Sequence, residues 1–310
     1  MALTRRTAGI LSLVTGIAVF SVQDVILKRL SGEYPLYQAM IIRSLTALPL
    51  LALIVLWLDG RLSSIITPRW PWMFARGLLN FVAYTAYYLG LAAMPMADTV
   101  ALFFTAPLFI TMAAVMFLGE KLTPGTILAV LLAFAGVLLI IRPGAGLIDP
   151  AALLPIIGAL GYALSMLAAR VLGRTETAAA MAFWGNLNFL LAAVALSVIF
   201  GAGGHDGAAH PSLAFLTRGW QPMPPADLSL FMLCGVIAAI GLSLLTQAYR
   251  IAPATTVAPF EYSFIFWGVL WGWLFWGQLP GWMGVLGIVL LIIAGVIVVR
   301  DEDSMKKAAP

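Results

Sequence analysis

The chain has 310 residues, 62% of them hydrophobic and 10% charged, with a net charge of +4. A soluble domain carries about 25% charged residues, so this composition has no water-exposed surface to match it, and a bilayer is its natural solvent. The basic residues lie at the ends of apolar runs rather than on one face, which excludes nucleic acid as a partner, and the single Cys234 excludes an intramolecular disulfide or a multi-cysteine metal site.

A helix that crosses a bilayer needs about 20 mostly apolar residues. On that basis the sequence predicts ten spans, at 8–29, 36–58, 72–93, 97–118, 124–142, 151–172, 178–200, 227–249, 255–276 and 281–299. The first stretch, MALTRRTAGILSLVTGIAVF, imitates a signal peptide. No small-x-small cleavage site follows it and nine more spans do, so it is read as span 1. Asp24 lies about five residues from the far end of span 1, and Arg43 about seven from the near end of span 2, across a short hairpin. Charges at such depths need partners. The two residues are expected to form a structural ion pair, with a proton or substrate role for Asp24 as the sharper reading.

Asn80, Tyr84 and Tyr87 or Tyr88 recur at helical spacing on span 3 and form one polar, aromatic stripe. Phe103 stands near the middle of span 4, one turn before Pro107. Pro107 deprives the Phe103 carbonyl of its usual donor and is expected to kink the span as a hinge. The repeat places Ile265 opposite Pro107, so that kink is expected to be asymmetric, with Pro259 acting at another depth of span 9. Glu120 and Lys121 belong to the turn after span 4. Tyr162, Ser165 and Met166 form a further stripe on span 6, and Ser243 with Gln247 another on span 8. The Gly- and Pro-rich segment 201–226 is expected to be a flexible surface loop in which His205 and His210 are simply solvated.

Glu261 sits about two turns into span 9, with Arg76 and Arg250 near the same surface as candidate partners. It is either structurally paired or a site for a proton or a substrate ammonium. Trp271, Trp273, Trp276 and Trp282, like Trp70 and Trp72, suit an interfacial aromatic belt. Gly268 and Gly272 on span 9, and Gly281, Gly284 and Gly287 on span 10, suit close helix contact.

Lysine and arginine set the orientation. Given ten spans, twelve basic residues fall on the side of both termini and four on the other, namely Lys28, Arg29, Arg142 and Arg218. Both termini are therefore expected in the cytoplasm of a multi-pass inner-membrane protein.

The chain also repeats itself. FLGEKLTP from Phe117 is echoed by FWGQLPG from Phe275, Pro95 by Pro253, and Ala-Gly-Val at 135–137 by Ala-Gly-Val at 294–296. More weakly, AVFSVQDVILKRL at 18–30 lies over LGYALSMLAARVL at 160–172. Five spans per copy is an odd number, so the second copy enters the membrane inverted. Inverted repeats are the architecture of many secondary transporters, with the substrate near the midplane between the halves. The expected units are 1–146 for the first repeat, 147–300 for the second and 301–310 for a cytoplasmic tail.

Ten spans in two five-helix halves, Leu-Gly-Glu-x-Leu-Thr at 118–123 and the Ala-Gly-Val run closing span 5 resemble the drug/metabolite transporter superfamily, in its EamA-type branch. The likeness covers about 8–300. Arg43 and Pro107 stand where that family tends to carry an Arg and a Pro, whereas Gln278 replaces a common Glu in the second copy. The resemblance implies export of amino acids and other small metabolites, or of drugs. It also implies a central cavity lined by spans 1, 3, 4, 6, 8 and 9, with spans 5 and 10 at a dimer-like or lipid-facing edge, in a monomer or homodimer.

The expected function is a secondary transporter that exports small metabolites by alternating access, most simply amino acids with large apolar or aromatic side chains. No GxxxxGK[ST] stretch or nucleotide-binding connection is present, so the energy comes from a gradient. No cofactor or metal is expected. Asn80, Tyr84, Tyr87, Phe103, Tyr162, Met166, Gln247 and Glu261 are the candidate cavity residues, their amides and hydroxyls for the polar ends of a substrate and their rings for its side chain. An organic-cation or multidrug exporter using Glu261 stays open. A nucleotide-sugar carrier needs cations at mid-membrane, and a membrane enzyme needs clustered His or Asp, neither of which the sequence offers.

Overall fold

The computed structural model describes residues 4–30, 32–94, 96–119, 122–141, 150–204, 207–276 and 281–308. Among them lie thirteen α-helices: α1 (Arg5–Leu30), α2 (Leu36–Asp59), α3 (Trp70–Ala93), α4 (Met96–Phe103), α5 (Ala106–Leu118), α6 (Pro124–Ile141), α7 (Leu153–Leu172), α8 (Ala178–Phe200), α9 (Pro211–Thr217), α10 (Pro225–Ile251), α11 (Ala254–Val257), α12 (Phe264–Trp276) and α13 (Trp282–Ala308). Helix is the expected answer to lipid, because no water is there to satisfy an open backbone. Five helical segments, those ending at Leu30, Asp59, Leu172, Phe200 and Ile251, are long and apolar enough to cross a membrane. The helix of span 10 runs on beyond the apolar stretch, since α13 continues to Ala308.

Spans 4 and 9 are not continuous. The first breaks between α4 and α5 at Phe104 and Thr105, just before Pro107, where the sequence placed a kink. The second breaks at a six-residue 3-10 segment, Ala258–Ser263, with Pro259 at its start. The expectation of an asymmetric kink is corrected here, because the two breaks meet. The rings of Phe104 and Tyr262 are 5.5 Å apart, and the Tyr262 hydroxyl donates to the Phe104 carbonyl at 3.4 Å. That carbonyl belongs to a backbone interrupted within the membrane, and a side-chain donor from the other half satisfies it.

Phe104 and Tyr262 are 158 residues apart, which is the offset of the late repeat. Packing follows the same symmetry. With α1 matched to α7, α2 to α8, α3 to α10 and α6 to α13, the contact of α1 with α10 becomes that of α7 with α3. Likewise the contact of α2 with α10 becomes that of α8 with α3, while α2–α8 and α6–α13 map onto themselves. Single glycines obey it too. Gly16 touches Leu245, and Gly158, its counterpart 142 residues later, touches Tyr87, the counterpart of Leu245. The protein is an all-α membrane protein built as two inverted five-helix repeats.

Its outer surface suits lipid. Trp57, Met116, Phe117, Val198 and Ile292 are each exposed by 60% or more, a surface that water would penalise. Segment 201–226 is not a loose loop. It contains α9, whose Ser212 hydroxyl donates to the Leu89 carbonyl at 2.7 Å, and His210 accepts from the Ser212 amide at 3.3 Å instead of being merely solvated. A Cβ on Gly268 would meet nothing within 4 Å, so no close helix contact explains that glycine, whereas Gly136 of α6 does press against the Gly287 carbonyl of α13. Pro95, Glu120, Lys121, His205, Gly277 and Gln278 lie outside the described residues.

Candidate functional site: a central cavity with two carboxylates

Where the two broken spans face α1, α3, α7 and α10, the bundle encloses a cavity of about 90 Å³. This is smaller than the ~300–1,000 Å³ of a typical ligand pocket. The wall takes Ile17, Phe20 and Asp24 from α1, Tyr84 and Tyr87 from α3, and Phe103, Phe104 and Pro107 around the first break. From the other half come Tyr162 of α7, Leu245 of α10, and Glu261 and Phe264 at the second break.

Half of the lining residues are aromatic, and the rings touch in series. Phe20 lies 6.1 Å from Tyr84, Tyr87 lies 4.9 Å from Phe103, and Phe103 lies 5.8 Å from Tyr162. Helical spacing on α3 explains why Tyr84 and Tyr87 share the wall, one turn apart on one face. Such rings offer an apolar slot for a flat or bulky group and a negative face for a cation.

Glu261 is placed by the 3-10 segment, which turns it inward. Its Oε1 accepts from the Tyr249 hydroxyl at 2.7 Å and from the Tyr162 hydroxyl at 2.8 Å. Neither expected arginine pairs with it. Arg76 is spent on tying three helices together, donating to the Ser165 and Met181 carbonyls and to the Thr246 hydroxyl at 3.0–3.2 Å. Arg250 donates to the Glu176 carbonyl at 3.1 Å and to Gln247 at 3.3 Å.

Asp24 and Arg43 do not form the expected ion pair, because two side chains stand between them. The Arg43 Nε donates to Gln23 Oε1 at 3.0 Å, the Gln23 amide donates to the Tyr88 hydroxyl at 3.1 Å, and Tyr88 donates to Asp24 Oδ1 at 2.8 Å. Arg43 is otherwise held by the Met40 sulfur and by the Phe189 ring, whose centre lies 5.0 Å from the guanidinium carbon. Its Nη2 has no partner. The outcome is a polar relay from Arg43 to a carboxylate on the cavity wall.

Of the eight candidate cavity residues, Tyr84, Tyr87, Phe103, Tyr162 and Glu261 are on the wall, joined by Asp24 and Pro107. Asn80 is buried one turn along α3 from Tyr84, with neither amide atom bonded. Met166 is buried one turn beyond Tyr162, off the wall. Gln247 faces Arg250. The sequence missed Tyr249 and Gln23. Tyr249 stands two residues from Gln247, nearly opposite on a helix, so the Ser243–Gln247 stripe pointed away from it. Gln23 had a signal, since it adjoins Asp24 in the middle of an apolar span.

Comparison with known proteins agrees with this architecture. Residues 7–142 match the EamA-like transporter family. A riboflavin transporter of Rhizobium johnstonii is 31% identical over 235 residues, which cover 76% of this chain and 72% of that protein. A pseudopaline exporter of Pseudomonas aeruginosa is 26% identical over 305 residues, covering 97% and 99% of the two chains. An S-adenosylmethionine uptake transporter of Rickettsia bellii is 24% identical over 187 residues, 60% of this chain and 58% of that one. A solved crystal structure matches with a TM-score of 0.76 at 16% identity, covering 94% of this chain and 97% of its own, and supports the fold.

Proposed function

The chain belongs to the EamA-like transporter family and is a multi-pass membrane transporter; from that premise we propose that it exports small amphipathic metabolites carrying an ammonium group, with bulky amino acids as the leading class. One observation carries the reading: an aromatic cavity whose only charged wall residues, among those described, are two acids, Asp24 and Glu261. A buried carboxylate faced by tyrosine hydroxyls rather than by a cation is stabilised by a proton or by a positively charged ligand. Rings then cover the ligand's apolar part. The same observation favours organic cations as a second reading, since no basic group stands on the wall among the described residues to meet a substrate carboxylate.

On this reading the two breaks, at Phe104–Thr105 and Ala258–Ser263, are the hinges, and Asp24 and Glu261 are the coupling groups. Asn80, one turn from the cavity with its amide unbonded, joins the substrate site when the walls part, while Met166 and Gln247 support it from behind. The two repeats divide near residues 146 and 147. Both termini are cytoplasmic, from the asymmetry of twelve basic residues to four. A reporter fused after Pro310 that is active only outside the cytoplasm overturns the orientation.

The test is transport into liposomes of amino acids, organic cations and neutral flat metabolites, with and without a pH gradient. Tyr84→Ala should weaken transport of a bulky substrate more than that of a small one, because it removes a ring that touches both Phe20 and Phe189. Equal loss for all sizes, or transport of neutral solutes alone, refutes the reading.

A further inference from the structure

A second concavity lies outside the bundle, on the side of the membrane opposite the termini. It is a groove of about 670 Å³ between α1, α10 and α12. Its walls are apolar, with Ile26 of α1, Leu233 of α10, and Trp271 and Phe275 of α12. Trp271 is fixed, since its indole N–H donates to the Ser21 hydroxyl at 2.7 Å and its ring lies 6.0 Å from that of Phe275. Trp271 is thus a packed residue of the groove wall. Lys28 and Arg29 stand at the groove's mouth.

Those two cations break the chain's own charge rule. The side to which they belong carries four basic residues against twelve on the other, and half of the four are adjacent at this one opening. Both belong to the last turn of α1, where the helix dipole also favours cations. An apolar trough that ends in two cations matches an acyl chain that ends in a phosphate. The trough follows α1 from Val22 to Arg29, about 10 Å at 1.5 Å per residue. A bilayer leaflet has a hydrocarbon depth of roughly 15 Å, so a chain anchored at the mouth runs the length of the groove.

We propose that this groove binds one anionic phospholipid, its phosphate held by Lys28 and Arg29 and its chain laid against Trp271. Trp271 of the groove wall is anchored on Ser21 of α1, the residue that follows Phe20 of the cavity wall. A bound lipid therefore braces α1 against α12.

Trp271 supplies the probe. The full-length protein is placed in phosphatidylcholine nanodiscs doped with either phosphatidylglycerol or phosphatidylcholine bearing brominated chains, which quench nearby tryptophans. The Trp271 signal is the part lost in Trp271→Phe. The brominated anionic lipid should quench it at a mole fraction on the order of ten-fold lower than the zwitterionic one, and Lys28→Gln/Arg29→Gln should make the two lipids equal. Equal quenching in the unaltered protein overturns the proposal, as does a preference that survives the double substitution. Displacement by water-soluble glycerol phosphate also overturns it, in favour of a soluble anion. If Trp271→Phe fails to fold, native mass spectrometry decides the matter. Retained phosphatidylglycerol on the unaltered protein, reduced in the double variant, supports the site, and equal retention refutes it.

Discussion

Glu261→Gln separates the charge of the cavity from its shape. Gln keeps an oxygen where Oε1 accepts from Tyr249 at 2.7 Å and from Tyr162 at 2.8 Å, so the 3-10 segment retains its anchors. What disappears is the negative charge. A hydrogen bond to a charged group is worth about 1.5–3 kcal/mol and a neutral one about 0.5–1.5. The difference of about 1–1.5 kcal/mol corresponds to a KM rise of roughly five- to fifteen-fold for an ammonium-bearing substrate. A neutral analogue of the same shape should change less than about two-fold on the same scale. Uptake of both compounds into proteoliposomes, alongside thermal unfolding in detergent, measures the two effects, and stimulation by a pH gradient should vanish if Glu261 carries the coupled proton. Equal KM changes for charged and neutral substrates at unchanged stability would falsify the role given to its charge.

Two repeat-related glycines should tolerate alanine unequally. The nearest atoms to a Cβ on Gly77 all belong to the Asn188 side chain, its Cβ at 2.9 Å included; the amide can turn away at the expense of its bond to the Trp184 carbonyl, about 0.5–1.5 kcal/mol, the Cβ needs a small shift of α3 from α8, and alanine returns roughly 1 kcal/mol in the helix. A Cβ on Gly235 would meet the Thr46 Cβ at 2.5 Å and the Arg43 backbone carbonyl at 2.6 Å, so α2 and α10 must separate, at about 1–3 kcal/mol against the same helix gain; thermal unfolding that ranks the two variants equally refutes the distinction. In double-mutant cycles Asp24→Asn should couple to Tyr88→Phe by more than about 0.5 kcal/mol and to Arg43→Gln by less, since only the first pair is in contact. A stronger Asp24–Arg43 coupling would restore the direct ion pair.

Much of the fold was legible because lipid simplifies the code. A run of apolar residues about 20 long has few alternatives to a helix, and the Pro107 break follows from a missing amide. The break at Ala258–Ser263 was harder to read. Pro259 flagged it, but its level in the bundle depends on where Tyr262 packs, which no local pattern records. The site divided along the same line. Tyr84, Tyr87 and Tyr162 followed from spacing on helix faces, and Phe103 from its depth beside Pro107. The partners of Glu261 did not, because proximity to arginine was inferred from depth alone, whereas depth says nothing of rotation about the helix axis. Tyr249 occupied that rotational position, and Arg76 had turned toward α7, α8 and α10. Asp24 and Arg43 show the same limit, being similar in depth yet kept apart by Gln23 and Tyr88.

The meeting of Phe104 with Tyr262 has a geometric consequence for how such a machine turns over. If opening to one side is opening to the other with the roles of the halves exchanged, each residue takes on the surroundings its counterpart had. The separation of two counterparts is unchanged by that exchange, because swapping their labels leaves the distance between them the same. Phe104 and Tyr262 are such a pair, already in contact. On that reading the pair keeps its contact in both end states, so the passage can reverse around it without first pulling it apart.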